Sequence, residues 1–297
     1  MSHWKAGLGR VGVWSAELHF GDQEEAADTA AELEALGFGA IWYPGAFGGP
    51  VFDMGANLLA ATSTVPVAIG ILNLWMHDPA EAAAGRARLE EAHPGRFLLG
   101  IGVSHRAFVD REDAQRYRQP LSAMKGYLDD LRAADRPVPA DGIVLAALKP
   151  RMRALAAERT AGIHSYFVPA EHTARTREAL GPDALLAPAH AVVLERDAAR
   201  AREIARRYTA MYLPLPNYSR NLLDLGFSEQ DVAGAGSDRL IDALVAWGDP
   251  ATIAAKVRAH HDAGADHVCV TVLTEGWGGP PFAPPREQYR QLAEMLL

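Results

Sequence analysis

Five times along this chain, a helical pattern changes to a strand pattern at a glycine. This repeated junction constrains the fold more than any other feature of the sequence. At each junction a helical segment ends near a glycine, and an apolar run typical of a strand follows at once. The junction glycines are Gly37, Gly95, Gly162, Gly181 and Gly264. Glycine ends helices because it adopts the left-handed backbone conformation without strain. Short turns from helices into strands are typical of parallel α/β folds.

Eight strands alternate with helices in this pattern. The predicted strands cover residues 11–15, 39–43, 67–73, 97–102, 143–147, 163–168, 186–194 and 267–273. Most of these runs are too continuously apolar to have a wet face, as expected for strands that are covered on both sides. Eight such units predict an α/β fold of the (β/α)₈ TIM-barrel type. A doubly wound open sheet is the competing arrangement.

The loop lengths indicate which end of the barrel carries the site. The segments 44–52 and 103–120, after the second and fourth predicted strands, are longer than most connections, and 213–247 forms the longest insertion. Active sites of such barrels lie at the carboxyl ends of the strands, where these segments emerge. We therefore expect one barrel domain over residues 1–297, with its insertions at the C-terminal face.

The charge balance excludes some partners. The chain has 29 Lys and Arg against 37 Asp and Glu, a net charge of −8. Nucleic acids and anionic membranes are bound by basic faces, so neither is an expected partner. The single cysteine, Cys269, cannot form an intramolecular disulfide, and the first residues lack the apolar core of a signal peptide. A cytoplasmic protein is expected.

Three familiar motifs do not predict the chemistry that they usually indicate. Residues 7–12 fit G-x-G-x-x-G but precede the first strand, whereas a dinucleotide-binding loop links a strand to a helix. Residues 102–106 (GVSHR) lack the second glycine of a nucleophile elbow. His260 and His261 are adjacent on a helix and face different directions, so they cannot readily share a metal ion. No metal site is predicted.

Several stretches together carry a resemblance to a known family. They are LLAATSTVPVAIGILNLW (58–75), HPGRFLLGIGVSH (93–105), YRQPLSAMKGYLDDL (117–131), AALKPRMRALAAERTAGIHSYFVPAEHT (146–173) and AGADHVCV (263–270). In this order and spacing they resemble the bacterial luciferase-like monooxygenase superfamily. GIGVSH, LPNY (215–218) and AGADHV together resemble its deazaflavin-dependent oxidoreductases. The resemblance implies coenzyme F-420 as the cofactor, with FMN as the alternative, and a homodimer.

The resemblance also implies which strand touches the cofactor ring. Members of the family carry a bulge in the third strand, with a non-prolyl cis peptide against the ring, and the matching bond here is Gly70–Ile71. Asn73, two residues further on, can offer both a donor and an acceptor to a ring edge. A strand-end cap is the alternative role for Asn73.

Two helix starts are expected to hold the phosphate side of the cofactor. Ala147, Leu148 and Lys149 join the fifth predicted strand to a helix, whose first backbone N–H groups can meet an anion. His172 and Thr173 begin another helix after the sixth strand. In relatives these two turns hold the phosphate. Some deazaflavin-dependent relatives have glycines where this chain has Leu148 and Lys149, and a merely solvated Lys149 is the alternative.

His105 is the candidate catalytic residue. It follows the fourth predicted strand directly and could donate a proton to a substrate oxygen or to the reacting ring, with Ser104 orienting it. Stabilisation of its own loop is the alternative role. Trp14 and Phe47 are candidate walls of the substrate pocket, although a buried core aromatic is the ordinary interpretation of Trp14.

These features predict hydride transfer between a bound deazaflavin and a small organic substrate. An FMN-dependent monooxygenase is the alternative among flavin enzymes. A cofactor-binding protein of the same fold without turnover is the alternative of another class, because a fold does not guarantee activity. A barrel aldolase or isomerase with a reactive lysine is a weaker fourth alternative, since only Lys149 of the four lysines is suitably placed.

Overall fold

The computed structural model describes residues 3–46, 49–110 and 116–297. In these residues the chain forms a sheet of ten strand segments, in which each neighbouring pair is parallel. They are β1 (Val11–Trp14), β2 (Ile41–Gly45), β3 (Val67–Asn73), β4 (Phe97–Gly102), β5 (Ile143–Leu145), β6 (Gly162–Ile163), β7 (Leu185–Leu186), β8 (Ala189–Val193), β9 (Val245–Trp247) and β10 (Val268–Val272).

Residues 185–193 close this sheet into a barrel. Within this segment, β7 pairs with β6 on one side and β8 pairs with β10 on the other. The N–H of Ala187 donates to the carbonyl oxygen of Ile163 at 2.8 Å, and the N–H of Cys269 donates to that of Pro188 at 3.0 Å. Because β10 also pairs with β1, the segments β1 to β8 and β10 form eight barrel strands. The predicted TIM barrel is confirmed, and the open doubly wound sheet is wrong.

Helices cover the outside of the barrel. They are α1 (Trp4–Gly7), α2 (Glu17–Phe20), α3 (Gln23–Leu36), α4 (Val51–Ala60), α5 (Pro79–Ala92), α6 (Arg106–Val109), α7 (Pro120–Ala133), α8 (Pro150–Arg159), α9 (Ala170–Leu180), α10 (Ala198–Tyr212), α11 (Pro216–Asp224), α12 (Glu229–Val232), α13 (Asp238–Leu244), α14 (Pro250–Asp262) and α15 (Arg286–Leu296). A 3₁₀ turn, Ala140–Gly142, leads into β5. Across the described ranges, none of the helices has the length and apolarity needed to cross a membrane.

Alternate strand residues divide between two buried layers. Ile41 and Ile69 pack outward against helix residues such as Leu33. Trp42 and Ala68, their chain neighbours, point into the barrel and belong to a separate interior cluster. This alternation follows from the two-residue period of a strand, and it explains why the strand runs are apolar on both faces.

The helix ends follow the sequence signals. Gly37 after α3 and Gly264 after α14 take φ values of 94° and 99°, the left-handed region that lets the chain turn into β2 and β10. At the start of α14 the carboxylate of Asp249 accepts a hydrogen bond of 2.9 Å from the N–H of Thr252. Pro250 occupies the first turn, where its missing N–H costs no helical hydrogen bond.

Three strand predictions differ from the structure. The predicted strand 186–194 is interrupted around Pro188, which has no N–H to donate to a ladder. Of the predicted strand 163–168 only Ile163 belongs to β6, although backbone hydrogen bonds continue to Ser165, and Phe167 takes a φ of 59°. The insertion 213–247 contains β9, which pairs with β8 outside the barrel and was not predicted. A three-residue strand is too short to produce a periodic signal.

Candidate active site

A cavity of about 270 Å³ opens at the carboxyl ends of β3, β4, β5 and β6. Six of the predicted site residues line it: Ile71, Ser104, His105, Ala147, Leu148 and Lys149. Its walls are mostly apolar or aromatic, with contributions from Leu121, Tyr166 and Tyr218. The strand order of the barrel therefore brings together residues that are far apart in the sequence, at the end of the barrel that the loop lengths indicated.

The β3 bulge shapes one wall of the cavity. The register between β3 and β4 shifts between Ile69 and Leu72, and the Gly70–Ile71 peptide bond is cis. Both features were predicted at this position. The Ile71 side chain lies over Gly102, where an added Cβ would be 2.5 Å from its Cδ1 atom. Glycine at residue 102 therefore allows Ile71 to occupy its present place in the cavity wall.

Trp14 holds the bulge from inside the barrel. Its Nε1–H donates a hydrogen bond of 2.7 Å to the carbonyl oxygen of Gly70, and its ring lies 5.2 Å from that of Tyr166. Trp14 is buried and is not among the residues that line the cavity. Its predicted contact with a substrate stays a prediction. Phe47, the other predicted pocket residue, lies outside the described residues.

His105 lies at the rim of the cavity, against the insertion. Its Nδ1 is 3.4 Å from Nδ2 of Asn217, and its ring centroid is 5.0 Å from that of Tyr218. Burial lowers the pKa of His105 to about 4, so the ring is neutral near pH 7. Ser104 turns the chain here with a φ of 52°. Asn217 and Tyr218 belong to the LPNY motif and begin α11, and they were not predicted as site residues.

Lys149 lies at the outer end of the cavity and already has an anionic partner. Its Nζ forms an ion pair with the carboxylate of Asp224, the last residue of α11. Nη1 of Arg175 donates a hydrogen bond of 2.9 Å to the backbone carbonyl of the same aspartate. Lys149 is also the residue before α8, the helix start that was expected to meet a phosphate. Any anion bound there has to compete with Asp224 for Lys149.

The side chain of Asn73 caps the end of its own strand. Its Nδ2 donates to the carbonyl of Ala46 at 3.2 Å, and its Oδ1 accepts from the N–H of Trp75 at 3.1 Å. This matches the strand-end alternative considered for Asn73, and the residue does not line the cavity. Its role at the cofactor stays a prediction.

His172 and Thr173 are buried and have internal partners. Nε2 of His172 is 3.3 Å from the carbonyl oxygen of Leu148, and Oγ1 of Thr173 is 2.9 Å from Nδ1 of His260. Neither lines the cavity. The contact between His172 and Leu148 connects the two helix starts that the sequence analysis assigned to the phosphate. Their own contact with a cofactor also stays a prediction.

The two adjacent histidines of α14 face different directions, as expected. His260 is buried, with its Nε2 3.0 Å from Nδ1 of His190. Nδ1 of His261 lies 3.1 Å from the carbonyl oxygen of Ala265. In the part of the chain that the structure describes, no group of three or more His, Cys, Asp or Glu side chains is arranged to hold a metal ion.

His164, the residue after β6, lines the cavity and was missed as a site residue. Its Nδ1 lies 2.8 Å from the carbonyl oxygen of Ala187, and its ring stacks on Trp42 at 4.5 Å. Burial lowers the pKa of His164 to about 4. The sequence signal was a histidine at the carboxyl end of an otherwise apolar strand run, HSYFV.

Comparisons with known proteins identify the family of the chain. The sequence model of the luciferase-like monooxygenase family matches residues 9–267. A Mycobacterium tuberculosis protein named as a candidate coenzyme F-420-dependent oxidoreductase is 27% identical over 175 residues, which cover 58% of this chain. The match covers 47% of that relative, so this chain spans about half of the relative's length.

Solved structures share the whole fold. A coenzyme F-420-dependent secondary alcohol dehydrogenase with an F-420–acetone adduct has a TM-score of 0.74 at 14% identity, covering 97% of this chain and 98% of that chain. The Methanopyrus kandleri F-420-dependent tetrahydromethanopterin reductase gives 0.74 at 15%, covering 97% and 99%. The FMN-bound oxygenating constituent of Pseudomonas putida 3,6-diketocamphane monooxygenase gives 0.67 at 13%, covering 96% of each chain. At these identities the likeness concerns the fold.

Proposed function

Since the chain belongs to the luciferase-like monooxygenase family of enzymes, we propose that it binds the deazaflavin coenzyme F-420 and transfers a hydride between that cofactor and a small organic substrate. One observation carries the proposal. The cavity at the carboxyl ends of β3 to β6 is mostly apolar around the buried His164 and has two cationic side chains, those of Lys149 and Arg151, at its exposed part. This distribution fits a planar ring with an anionic tail.

The residues present fit such a molecule. At the buried part, Ile71 and Tyr166 provide apolar surface, and His164 provides Nε2, a polar atom without a partner among the described residues. At the exposed part, Lys149 precedes α8 and Arg151 lies in its first turn, where the positive end of the helix dipole favours an anion. A mostly apolar pocket with a few placed polar groups is what a planar cofactor requires.

When bound, coenzyme F-420 supplies hydride chemistry, and the protein supplies binding, orientation and electrostatics. Apolar walls exclude water from the ring face. His105 lies at the open side, and its neutral ring can donate one hydrogen bond, from the nitrogen that carries the proton. Because the amide nitrogen of Asn217 can only donate, its contact with Nδ1 places the His105 proton on Nε2. That N–H is then the proposed donor to a substrate oxygen.

An FMN-dependent monooxygenase is the second candidate. It is favoured by the FMN-bound Pseudomonas relative, which shares the fold over 96% of this chain. We place coenzyme F-420 first because the M. tuberculosis relative is named for that coenzyme and carries the higher sequence identity. The resemblance also supports a homodimer, which light scattering after size exclusion would test. The single cysteine supports a cytoplasmic location, which cell fractionation would test.

The first experiment is a titration of the purified protein with oxidised coenzyme F-420 and, separately, with FMN, followed by fluorescence. We expect a dissociation constant for F-420 at least about tenfold below that for FMN, a difference of about 1.4 kcal/mol. The reverse preference would move the assignment to the monooxygenase. Binding of neither would contradict both candidates. Tight F-420 binding without hydride exchange across alcohols, aldehydes and activated alkenes would favour the cofactor-binding protein without turnover.

A further inference from the structure

His164 brings a lone pair without a partner to the cavity. The side chain is 1% exposed, and in residues 3–46, 49–110 and 116–297 its Nε2 atom has no hydrogen-bond partner. Buried polar atoms are nearly always paired in folded proteins, so an unpaired one needs an explanation. In an apolar surrounding, the missing hydrogen bond of Nε2 destabilises the folded protein, and a ligand that donates to Nε2 removes this cost.

The protonation state of His164 follows from its other nitrogen. Nδ1 lies 2.8 Å from the carbonyl oxygen of Ala187, which can only accept, so Nδ1 carries the proton and donates. Burial lowers the pKa of the ring to about 4, so a second proton is absent near pH 7. Nε2 is therefore an acceptor and not a donor. Its partner must bring an N–H or an O–H.

The ring of His164 cannot turn away to find another partner. It stacks on Trp42 with an interplanar angle of 12°. Trp42 is itself fixed, because its Nε1–H donates to Nε2 of His267, whose Nδ1 donates to the carbonyl of Gly9. A Cβ added to Gly70, the residue before the cavity-lining Ile71, would lie 3.0 Å from Nε2 of His164. The acceptor is thus held directly against the bulge of β3.

Other buried imidazole nitrogens without partners do not share this position. In the described part of the chain they belong to His19, His77, His190 and His261. None of these four lines the cavity, whereas His164 does. The combination of burial, a fixed tautomer and a place in the cavity wall therefore distinguishes His164 from the other histidines.

We propose that His164 accepts a hydrogen bond from the imide N–H of the bound deazaflavin ring, so that the barrel interior recognises the pyrimidine edge of the cofactor. This inference rests on the proposed function. The imide N–H is the hydrogen-bond donor on the pyrimidine edge of the oxidised ring, and His164 lies among the apolar residues of the cavity. A methyl group on the imide nitrogen removes this donor and leaves the rest of the ring system unchanged.

The test combines a ligand change with a protein change. The full-length protein is titrated with 8-hydroxy-5-deazariboflavin and with its N3-methyl derivative, which both lack the anionic tail. We expect N3-methylation to weaken binding to the wild type about tenfold or more. In His164→Leu the unmethylated ring should bind about tenfold more weakly, and the two ligands should then differ by less than about threefold. Met152→Leu, a change of another cavity residue that has no hydrogen-bonding N–H or O–H group, should keep the wild-type preference.

A second variant distinguishes the loss of the acceptor from a folding defect. His164→Gln keeps a side-chain acceptor and should retain part of the preference for the unmethylated ring, and circular dichroism checks the fold of each variant. Equal binding of the two ring ligands to the wild type would overturn the assignment of His164, as would a full preference in His164→Leu. If neither the rings nor coenzyme F-420 bind the wild type, the proposed function fails and this inference fails with it. If F-420 binds while methylation has no effect, only the role of His164 fails.

Discussion

Lys149 lies between two possible anionic partners, the carboxylate of Asp224 and the tail of the proposed cofactor. The side chains of Lys149 and Asp224 are 42% and 66% exposed, so their ion pair contributes little to stability, about 0–1 kcal/mol. We expect Lys149→Ala to weaken F-420 binding by about 1 kcal/mol, roughly fivefold. Asp224→Asn should strengthen binding, because the cation is no longer shared.

The control for these two variants is a ligand without the tail. Binding of 8-hydroxy-5-deazariboflavin, measured by the same fluorescence titration, should stay unchanged in both variants. Weaker F-420 binding in Asp224→Asn would indicate that the ion pair holds α11 in place for the cofactor, and our account of competition for Lys149 would be wrong.

His105 is expected to affect turnover more than cofactor binding. Its ring lies at the rim, with Nδ1 3.4 Å from Nδ2 of Asn217, and its Nε2–H is the proposed hydrogen-bond donor to the substrate oxygen. Removing a hydrogen-bond donor that stabilises developing negative charge typically lowers kcat by about 10²–10³-fold. We therefore expect His105→Ala to lower kcat at least about a hundredfold, with the F-420 dissociation constant changed less than about threefold. Full activity in this variant would show that His105 is not a catalytic residue.

The pH profile gives a separate check on His105. Because burial lowers its pKa to about 4, the residue is neutral throughout the range from pH 6 to 8. Its titration should therefore leave kcat/KM unchanged across that range. An inflection near pH 6.5 that disappears in His105→Gln would show that the ring titrates as an exposed histidine does.

The pairing of β3 and β4 offers two glycines with different expected outcomes. A Cβ at Gly102 would lie 2.5 Å from Cδ1 of Ile71, the end of a side chain that can shift into the cavity. A Cβ at Gly100 would lie 2.0 Å from the backbone oxygen of Ile69, which cannot move without breaking the sheet. We expect Gly102→Ala to lose about 1–3 kcal/mol of unfolding free energy and to bind F-420 about tenfold more weakly.

Gly100→Ala is the matched control, and it should fail to fold or lose more unfolding free energy than Gly102→Ala. Urea unfolding measures the stability of both variants, and fluorescence titration measures cofactor binding in the one that folds. Unchanged binding in Gly102→Ala would mean that the position of Ile71 does not limit access to the cavity.

Elements defined by local sequence could be predicted, and elements defined by distant contacts could not. Glycine-terminated helices and apolar runs gave the barrel, and the family resemblance placed the bulge at Gly70–Ile71. By contrast, Lys149 and Asp224 are 75 residues apart, and Asn217 is 112 residues from His105. Such pairs depend on how the insertion folds back over the barrel. Neither the periodicity of apolar residues nor a sequence motif predicts how the insertion packs on the barrel.

At the scale of the whole molecule, buried neutral histidines make stability depend on pH. Burial lowers the pKa of His164, His172, His190 and His267 to about 4, from 6.5 when exposed. Between these two values the unfolded chain binds more protons than the folded one, so the free energy of unfolding falls as the pH falls. The part of the unfolding free energy that requires these histidines to be neutral is fully present above about pH 6.5 and is lost progressively towards pH 4. Glu17, whose pKa burial raises, acts in the opposite direction.

As the pH falls from 7.5 to 5.5, we expect the free energy of unfolding to fall by about 1 kcal/mol for each of these four histidines, because the histidine is protonated only in the unfolded chain. Urea unfolding at pH 7.5, 6.5 and 5.5 measures the total change in unfolding free energy. The same measurement in Glu17→Gln removes the opposing effect of the Glu17 carboxyl. His164→Leu should reduce the pH dependence by about one histidine's share, while its stability at pH 7.5 falls because the Ala187 carbonyl loses its donor. An identical pH dependence in the variant and the wild type would mean that His164 is protonated as readily in the folded state as in the unfolded chain. In that case the lone pair proposed to receive the cofactor's N–H would not be available below about pH 6.5.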